Sequence, residues 1–139
     1  MSKDCIFCKI ISGEFSAHKI FEDNRFIAIL DINPAAYGHT LIIPKEHFAE
    51  LHDVSGEYAR EFLPFTQKIA RAVLDATNAE GFNIVQNNGT AAGQTVKHFH
   101  AHIVPRVTGD GLNFSWISKS PSKEFMSDMV AKLSKKLNE

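Results

Sequence analysis

The chain has 139 residues, 44% of them hydrophobic and 22% charged, enough to bury one core and too few for two ordinary domains, so residues 1–139 read as a single domain. Lys plus Arg (15) nearly cancels Asp plus Glu (16), which argues against a nucleic-acid footprint and leaves room for a small anionic ligand that needs only a few local donors. No apolar run approaches the roughly 18 to 20 residues of a membrane span, and the start Met1-Ser2-Lys3-Asp4-Cys5 lacks a signal-peptide apolar stretch, so a cytoplasmic protein without membrane contact is expected.

The two cysteines of the chain, Cys5 and Cys8, stand in a C-x-x-C spacing. That spacing fits half a tetrahedral zinc site, a redox pair, or two small packing residues. A redox pair belongs at a strand-to-helix junction, whereas this one lies almost at the amino terminus, so metal is favoured if two further ligands exist. Ile6, Phe7, Ile10 and Ile11 have short helical periodicity that stops at Gly13. Lys19–Glu22 and Arg25–Asp31, separated by Asp23-Asn24, read as a hairpin. His39–Pro44 is a third strand with apolar density on both faces, its pairing ended by Pro44.

From Ser55 to about Asn78 the stripe Tyr58, Phe62, Phe65, Ile69, Val73 predicts the longest helix, capped at Asp53 or Ser55 and followed by Gly81. Pro64 inside it predicts a kink or a fresh start. Phe82–Asn87 reads as a fourth strand, Asn88–Gly93 as a small-residue loop. Val107–Ser118 shows no period. Ser120-Pro121 reads as the cap of a carboxy-terminal amphipathic helix carrying Phe125, Met126, Met129, Val130, Leu133 and Leu137.

The fifth strand carries His98-Phe99-His100-Ala101-His102-Ile103-Val104. A period of two places three of the seven histidines on one face. Such a row can bind metal, transfer protons, or attack phosphorus through a neutral ring nitrogen.

This segment resembles the His-x-His-x-His-apolar-apolar signature of the histidine triad (HIT) superfamily of nucleotide hydrolases and transferases. Asn87, the Gly89–Gly93 loop, Gln94-Thr95, Cys5–Ile11 and Asp31-Ile32-Asn33-Pro34 through His47 match it too, in order and spacing over about residues 4–106. The early C-x-x-C segment is similar to the bacterial Hint-like, zinc-containing branch. The resemblance implies an α+β HIT-like fold, a five-stranded largely antiparallel sheet with one long helix, with core about 4–106 and a carboxy-terminal segment 107–139 bearing a second helix. It also implies a homodimer, for which Phe62 and Phe65 on the long helix offer apolar surface.

By the same resemblance His100 is the nucleophile at an α-phosphate, oriented by a carbonyl near His98, and His102 and His39 face the phosphate. Asn87, Gly93, Gln94 and Thr95 are implied phosphate contacts, Asp31 a ribose acceptor, and Phe7, Ile10, Ile29 and Ile32 a purine sandwich. His47 and His98 would complete Cys₂His₂ with Cys5 and Cys8, a closed and hence structural zinc site. The implied activity is hydrolysis of adenosine phosphoramidate-type or related purine-nucleotide conjugates through a nucleotidyl-histidine, releasing a nucleoside monophosphate. Gln94–Lys97 and Val104–Arg106 resemble instead the dinucleoside polyphosphate hydrolase branch, and a non-catalytic nucleotide-binding or scaffold protein is the third reading.

Overall fold

The structure is a computed structural model, and it describes residues 2–139. Five strands, β1 (Lys19–Glu22), β2 (Phe26–Leu30), β3 (Thr40–Pro44), β4 (Gly81–Gln86) and β5 (Ala101–Arg106), form one sheet in the order β1-β2-β3-β5-β4. Every neighbouring pair is antiparallel. Three helices accompany it: α1 (Ile6–Ile11), α2 (Gly56–Thr77) and α3 (Lys123–Leu137). The α+β fold read from the sequence is the fold observed.

The sheet is buried on both faces at its centre. Phe26 and Ala28 of β2, Ile42 of β3, and Phe99, Ala101 and Ile103 before and within β5 pack with Tyr58, Phe65, Ile69 and Val73 of α2. Ile27, Ile29, Leu41 and Ile43 point the other way, toward Cys5, Phe7 and Cys8 of the α1 region. Each such buried aliphatic side chain contributes about 1.5–3 kcal/mol. This double burial accounts for the unbroken apolar runs of β2 and β3. At the hairpin, one Asp23 carboxylate oxygen accepts from the backbone N–H groups of Arg25 and Phe26, both at 2.8 Å, which closes the turn.

Some boundaries differ from the sequence reading and others agree with it. Helix α2 runs through Pro64 without interruption; its partners on the sheet hold the turn that proline weakens. The end of that helix agrees with the reading: it is capped by Asn78, in the left-handed conformation at φ 54°, with Gly81 beyond it opening β4. Strand β3 ends at Pro44 as read, its last ladder partner being Phe26. Ser122, not Ser120-Pro121, caps α3, its hydroxyl accepting from Phe125 N–H at 3.0 Å. Phe65 is buried in the chain's own core, and Phe62 packs against it while staying partly exposed, so of these two aromatics only Phe62 has surface left for a second copy. The apolar stripe of α3 is exposed instead, Leu137 most of all. Among the described residues no helix is long and apolar enough to cross a membrane.

Gly38 joins the fold to the histidines. It precedes His39 with φ +93°, and an added Cβ would lie 2.7 Å from Thr77 Cγ2 at the end of α2. Gly38→Ala should therefore lose about 1–3 kcal/mol in denaturant unfolding, combining left-handed strain with the clash. Adding Thr77→Ser, which removes the clashing methyl, should recover only the clash component.

Candidate active site and metal centre

The alternation predicted for the histidine segment holds, but the strand does not cover all of it. β3 pairs with β5 only at Thr40↔Ile103, Leu41↔His102 and Ile42↔Ala101, so His98, Phe99 and His100 precede the ladder. Phe99 N–H donates instead to Phe48 carbonyl oxygen at 2.6 Å. Pro44 has no N–H to offer, and its carbonyl, 2.8 Å from His98 Nε2, receives that side chain in place of a backbone partner.

His98 is completely buried. Because a carbonyl can only accept, the His98 proton lies on Nε2 and the Nδ1 lone pair is directed away from Pro44. Nδ1 lies 3.3 Å from Cys5 Sγ and 3.6 Å from Cys8 Sγ, and Cys8 Sγ is 3.3 Å from His47 Nδ1. One ligand atom from each of the four residues falls within 4.8 Å of all the others. Zinc bonds of about 2.3 Å to sulfur and 2.0–2.1 Å to nitrogen, set tetrahedrally, separate S and N by about 3.5 Å, so the donor set fits zinc. The sequence spacing thus leads to a real convergence, and the Pro44 carbonyl holds the ligand tautomer from behind, a support that spacing does not reveal. Burial pushes the Cys8 thiol up, so a cation there would be needed to draw off its proton.

His100 is buried and its ring meets Phe7 edge to face at 4.9 Å between centroids. Its Nδ1 is 2.7 Å from the His98 carbonyl oxygen. The proton therefore sits on Nδ1, and Nε2 keeps a lone pair with no hydrogen-bond partner among the described residues. His102 follows at 5.1 Å, and its Nδ1 lies 2.8 Å from His39 Nε2. Burial lowers the basicity of all four imidazoles His39, His98, His100 and His102, the last to about 4, with His100 and His39 as further causes.

The other sequence candidates fall into three groups. Asn87 and Thr95 carry side chains without hydrogen-bond partners among the described residues, and Gly93, at φ +93°, would bring an added Cβ to 3.5 Å from Asn87 Nδ2. Thr95 shares a cavity of about 360 Å³ with Cys5, Ile6 and His47. Gln94 differs: its Oε1 accepts from Gly89 N–H at 2.8 Å and its Nε2 donates to Ala49 carbonyl at 2.7 Å, so the buried amide braces the glycine loop with one donor and one acceptor engaged. Asp31 Oδ1 caps its own loop through Asn33 N–H at 2.8 Å, while Oδ2 lies 3.5 Å from His39 Nε2. Of the apolar four, Ile29 is core, Phe7 is buried, Ile10 is half-buried, and Ile32 is 76% exposed. A separate cavity of about 790 Å³, between Pro34–Gly38, Ala76 and Pro105, is lined by no histidine.

Fold and site together define a small α+β protein of histidine-triad type, with a Cys₂His₂ set beside three ordered imidazoles. The HIT domain family model matches residues 12–109, and the chain belongs to that family. It is 41% identical to the adenosine 5'-monophosphoramidase HNT1 of Candida albicans over 97% of this chain and 90% of that protein. A crystal structure of SMU.412c from Streptococcus mutans superposes with a TM-score of 0.93 at 38% identity, covering 99% of this chain and 87% of the other. A zinc-bound histidine triad family protein from Mycobacterium smegmatis gives 0.75 at 41% identity, covering 97% and 96%.

Two predictions follow from this geometry. Elemental analysis of protein purified without chelator should find about one zinc per chain, and Cys5→Ala should lower both metal content and melting temperature. Separately, the unfolded chain protonates His102 near its ordinary value of 6.5, while the folded chain does so only near 4. Between those values the unfolded state binds more protons, so this contribution to stability is present above pH 6.5 and is lost as pH falls toward 4. Melting temperature should drop over that window, and His102→Gln should show a shallower drop.

Proposed function

We propose that this HIT-family hydrolase cleaves purine-nucleotide conjugates of the adenosine phosphoramidate type at the α-phosphate, in two displacements through a nucleotidyl-His100 intermediate that water resolves to the nucleoside monophosphate. The observation that carries the reading is the 2.7 Å contact from His100 Nδ1 to the His98 carbonyl. It presents Nε2 as a neutral, oriented lone pair, which is what an imidazole nucleophile needs. His102 adjoins it, and Asn87 and Thr95 hold unpartnered donors nearby in sequence. The phosphoramidase activity of the Candida albicans relative supports the substrate class.

In this reading Cys5, Cys8, His47 and His98 hold a structural zinc, which ties the amino terminus to the segment just before the nucleophile and supplies no open coordination position for substrate. Residues 1–139 form one domain, whose unit is a homodimer. Strand β4 lies at the sheet edge with Phe82 and Ile84 exposed, and α3 leaves its apolar stripe open, surfaces that a second copy would cover. Sedimentation at micromolar concentration should give about twice 15.5 kDa.

Incubation with labelled adenosine phosphoramidate followed by quenching should leave an acid-labile adenylate on His100. His100→Ala should form no adduct and turn over at least about 10³-fold more slowly, with nucleotide affinity largely kept, as expected when a group needed only in the transition state is removed. An adduct mapped to another residue in wild-type protein would refute the assignment. A kcat/KM panel including dinucleoside polyphosphates separates this activity from its nearest alternative.

A further inference from the structure

The hydrogen bonds around His39 fix more than the position of that ring. The loop before β3 brings Ala35 N–H to 2.9 Å from His39 Nδ1. A backbone N–H can only donate, so His39 Nδ1 is an acceptor and the ring's one proton lies on Nε2. That Nε2 lies 2.8 Å from His102 Nδ1, which must then accept in its turn. The proton of His102 is left on its own Nε2, the one His102 nitrogen without a partner among the described residues. Asp31 Oδ2, at 3.5 Å from His39 Nε2 and 4.0 Å from His102 Nδ1, agrees with a proton on His39 Nε2.

His100 has the reverse arrangement. Its Nδ1–H faces a carbonyl at 2.7 Å, so its free nitrogen carries a lone pair. Two imidazoles whose centroids are 5.1 Å apart thus offer opposite functions on their free nitrogens, a lone pair on His100 and an N–H on His102.

The chain Ala35–His39–His102 also has an end. A second proton on His39 would go to Nδ1, facing the Ala35 N–H, and a second proton on His102 would go to its Nδ1, facing His39 Nε2–H. Each places two donors against each other inside 3 Å. No proton can pass down a chain that terminates in a backbone amide, because the amide neither gives up its hydrogen nor accepts another.

We infer that the Ala35 amide, acting through His39, locks His102 as a neutral Nε2–H donor that stabilises charge on the phosphate as a hydrogen-bond donor and is not the proton source for the leaving group. His39 is then a positioning residue, not a group that faces the phosphate. The inference rests on the reading of His100 as nucleophile. Attack by the His100 Nε2 lone pair on phosphorus breaks the bond to the leaving atom, which keeps the electron pair. Water protonates that atom, and a water oxygen later releases the nucleotide from His100, so that one water is consumed in all.

The test has a spectroscopic and a kinetic part, both on zinc-loaded full-length protein. Long-range ¹⁵N–¹H spectra of the ligand-free protein at neutral pH should show His39 and His102 protonated on Nε2 and His100 on Nδ1, with a scalar coupling across the bond from His39 Nε2 to His102 Nδ1. A His102 or His39 proton on Nδ1, or a doubly protonated ring at either position, overturns the inference.

In the kinetic part, the side-chain amide of His102→Gln retains an N–H near the Nε2 position. A donor role predicts turnover within about tenfold of wild type for Gln and a loss of about 10²–10³ for His102→Ala, the usual effect of removing one transition-state donor. Equal losses for Gln and Ala mean a proton source, and the inference fails. His39→Gln, which can still donate to His102 Nδ1, should retain both the His102 tautomer and more turnover than His39→Leu; equal turnover for those two also overturns it. Adduct trapping on the same proteins separates the failures, since absence of adduct from wild type removes the nucleophile reading while the tautomers stand as measured.

Discussion

The structure depends on the two-sidedness of the segment from His98 to Val104. Phe99, Ala101 and Ile103 are held in the core beneath α2, and the intervening histidines are thereby committed to the opposite face, toward Phe7 and the cysteines. A slip of one residue would drive three imidazoles into a hydrocarbon core and expose an aromatic ring, so register is set by apolar packing and the histidines inherit it. The chemistry is positioned by residues that take no part in it.

Burial on that face also determines the charge state. An imidazolium loses most of its hydration there, and His98 and His102 are driven down to about 4. A metal ligand and an imidazole nucleophile would both require the neutral ring, so one physical cause suits both proposed roles. Neutrality alone leaves each ring with two tautomers. The backbone resolves that choice: a carbonyl at Pro44 for His98, a carbonyl at His98 for His100, and an amide at Ala35 for His39.

That division explains what was legible in the sequence. Apolar periodicity gave the five strands and the long helix, and the HIT resemblance brought Cys5, Cys8, His47 and His98 together from three separate stretches. What was missed is mostly backbone. A carbonyl like that of Pro44 is present at every position and an N–H like that of Ala35 at every non-proline one, and nothing in residue identity marks which of them will face a ring. Two local preferences are outweighed for another reason: α2 continues past Pro64 without a fresh start, held by its packing on the sheet, and the Ser122 hydroxyl caps α3 in place of Ser120-Pro121.

Gln94 shows how a residue beside the site can also brace it. Its place beside a glycine loop suggests a phosphate donor, yet both ends of its amide are taken by Gly89 N–H and Ala49 carbonyl. Releasing the buried amide to reach a ligand would strand those two backbone groups at about 1–3 kcal/mol each. The loop Gly89–Gly93 carries only small side chains and is held by a single short turn of backbone hydrogen bonds. The glutamine adds rigidity from outside, anchoring the loop to the chain just after β3. Unpartnered polar groups then remain on Asn87, Thr95 and the His100–His102 pair, whereas one donor and one acceptor of Gln94 and both ring nitrogens of His39 are engaged within the chain.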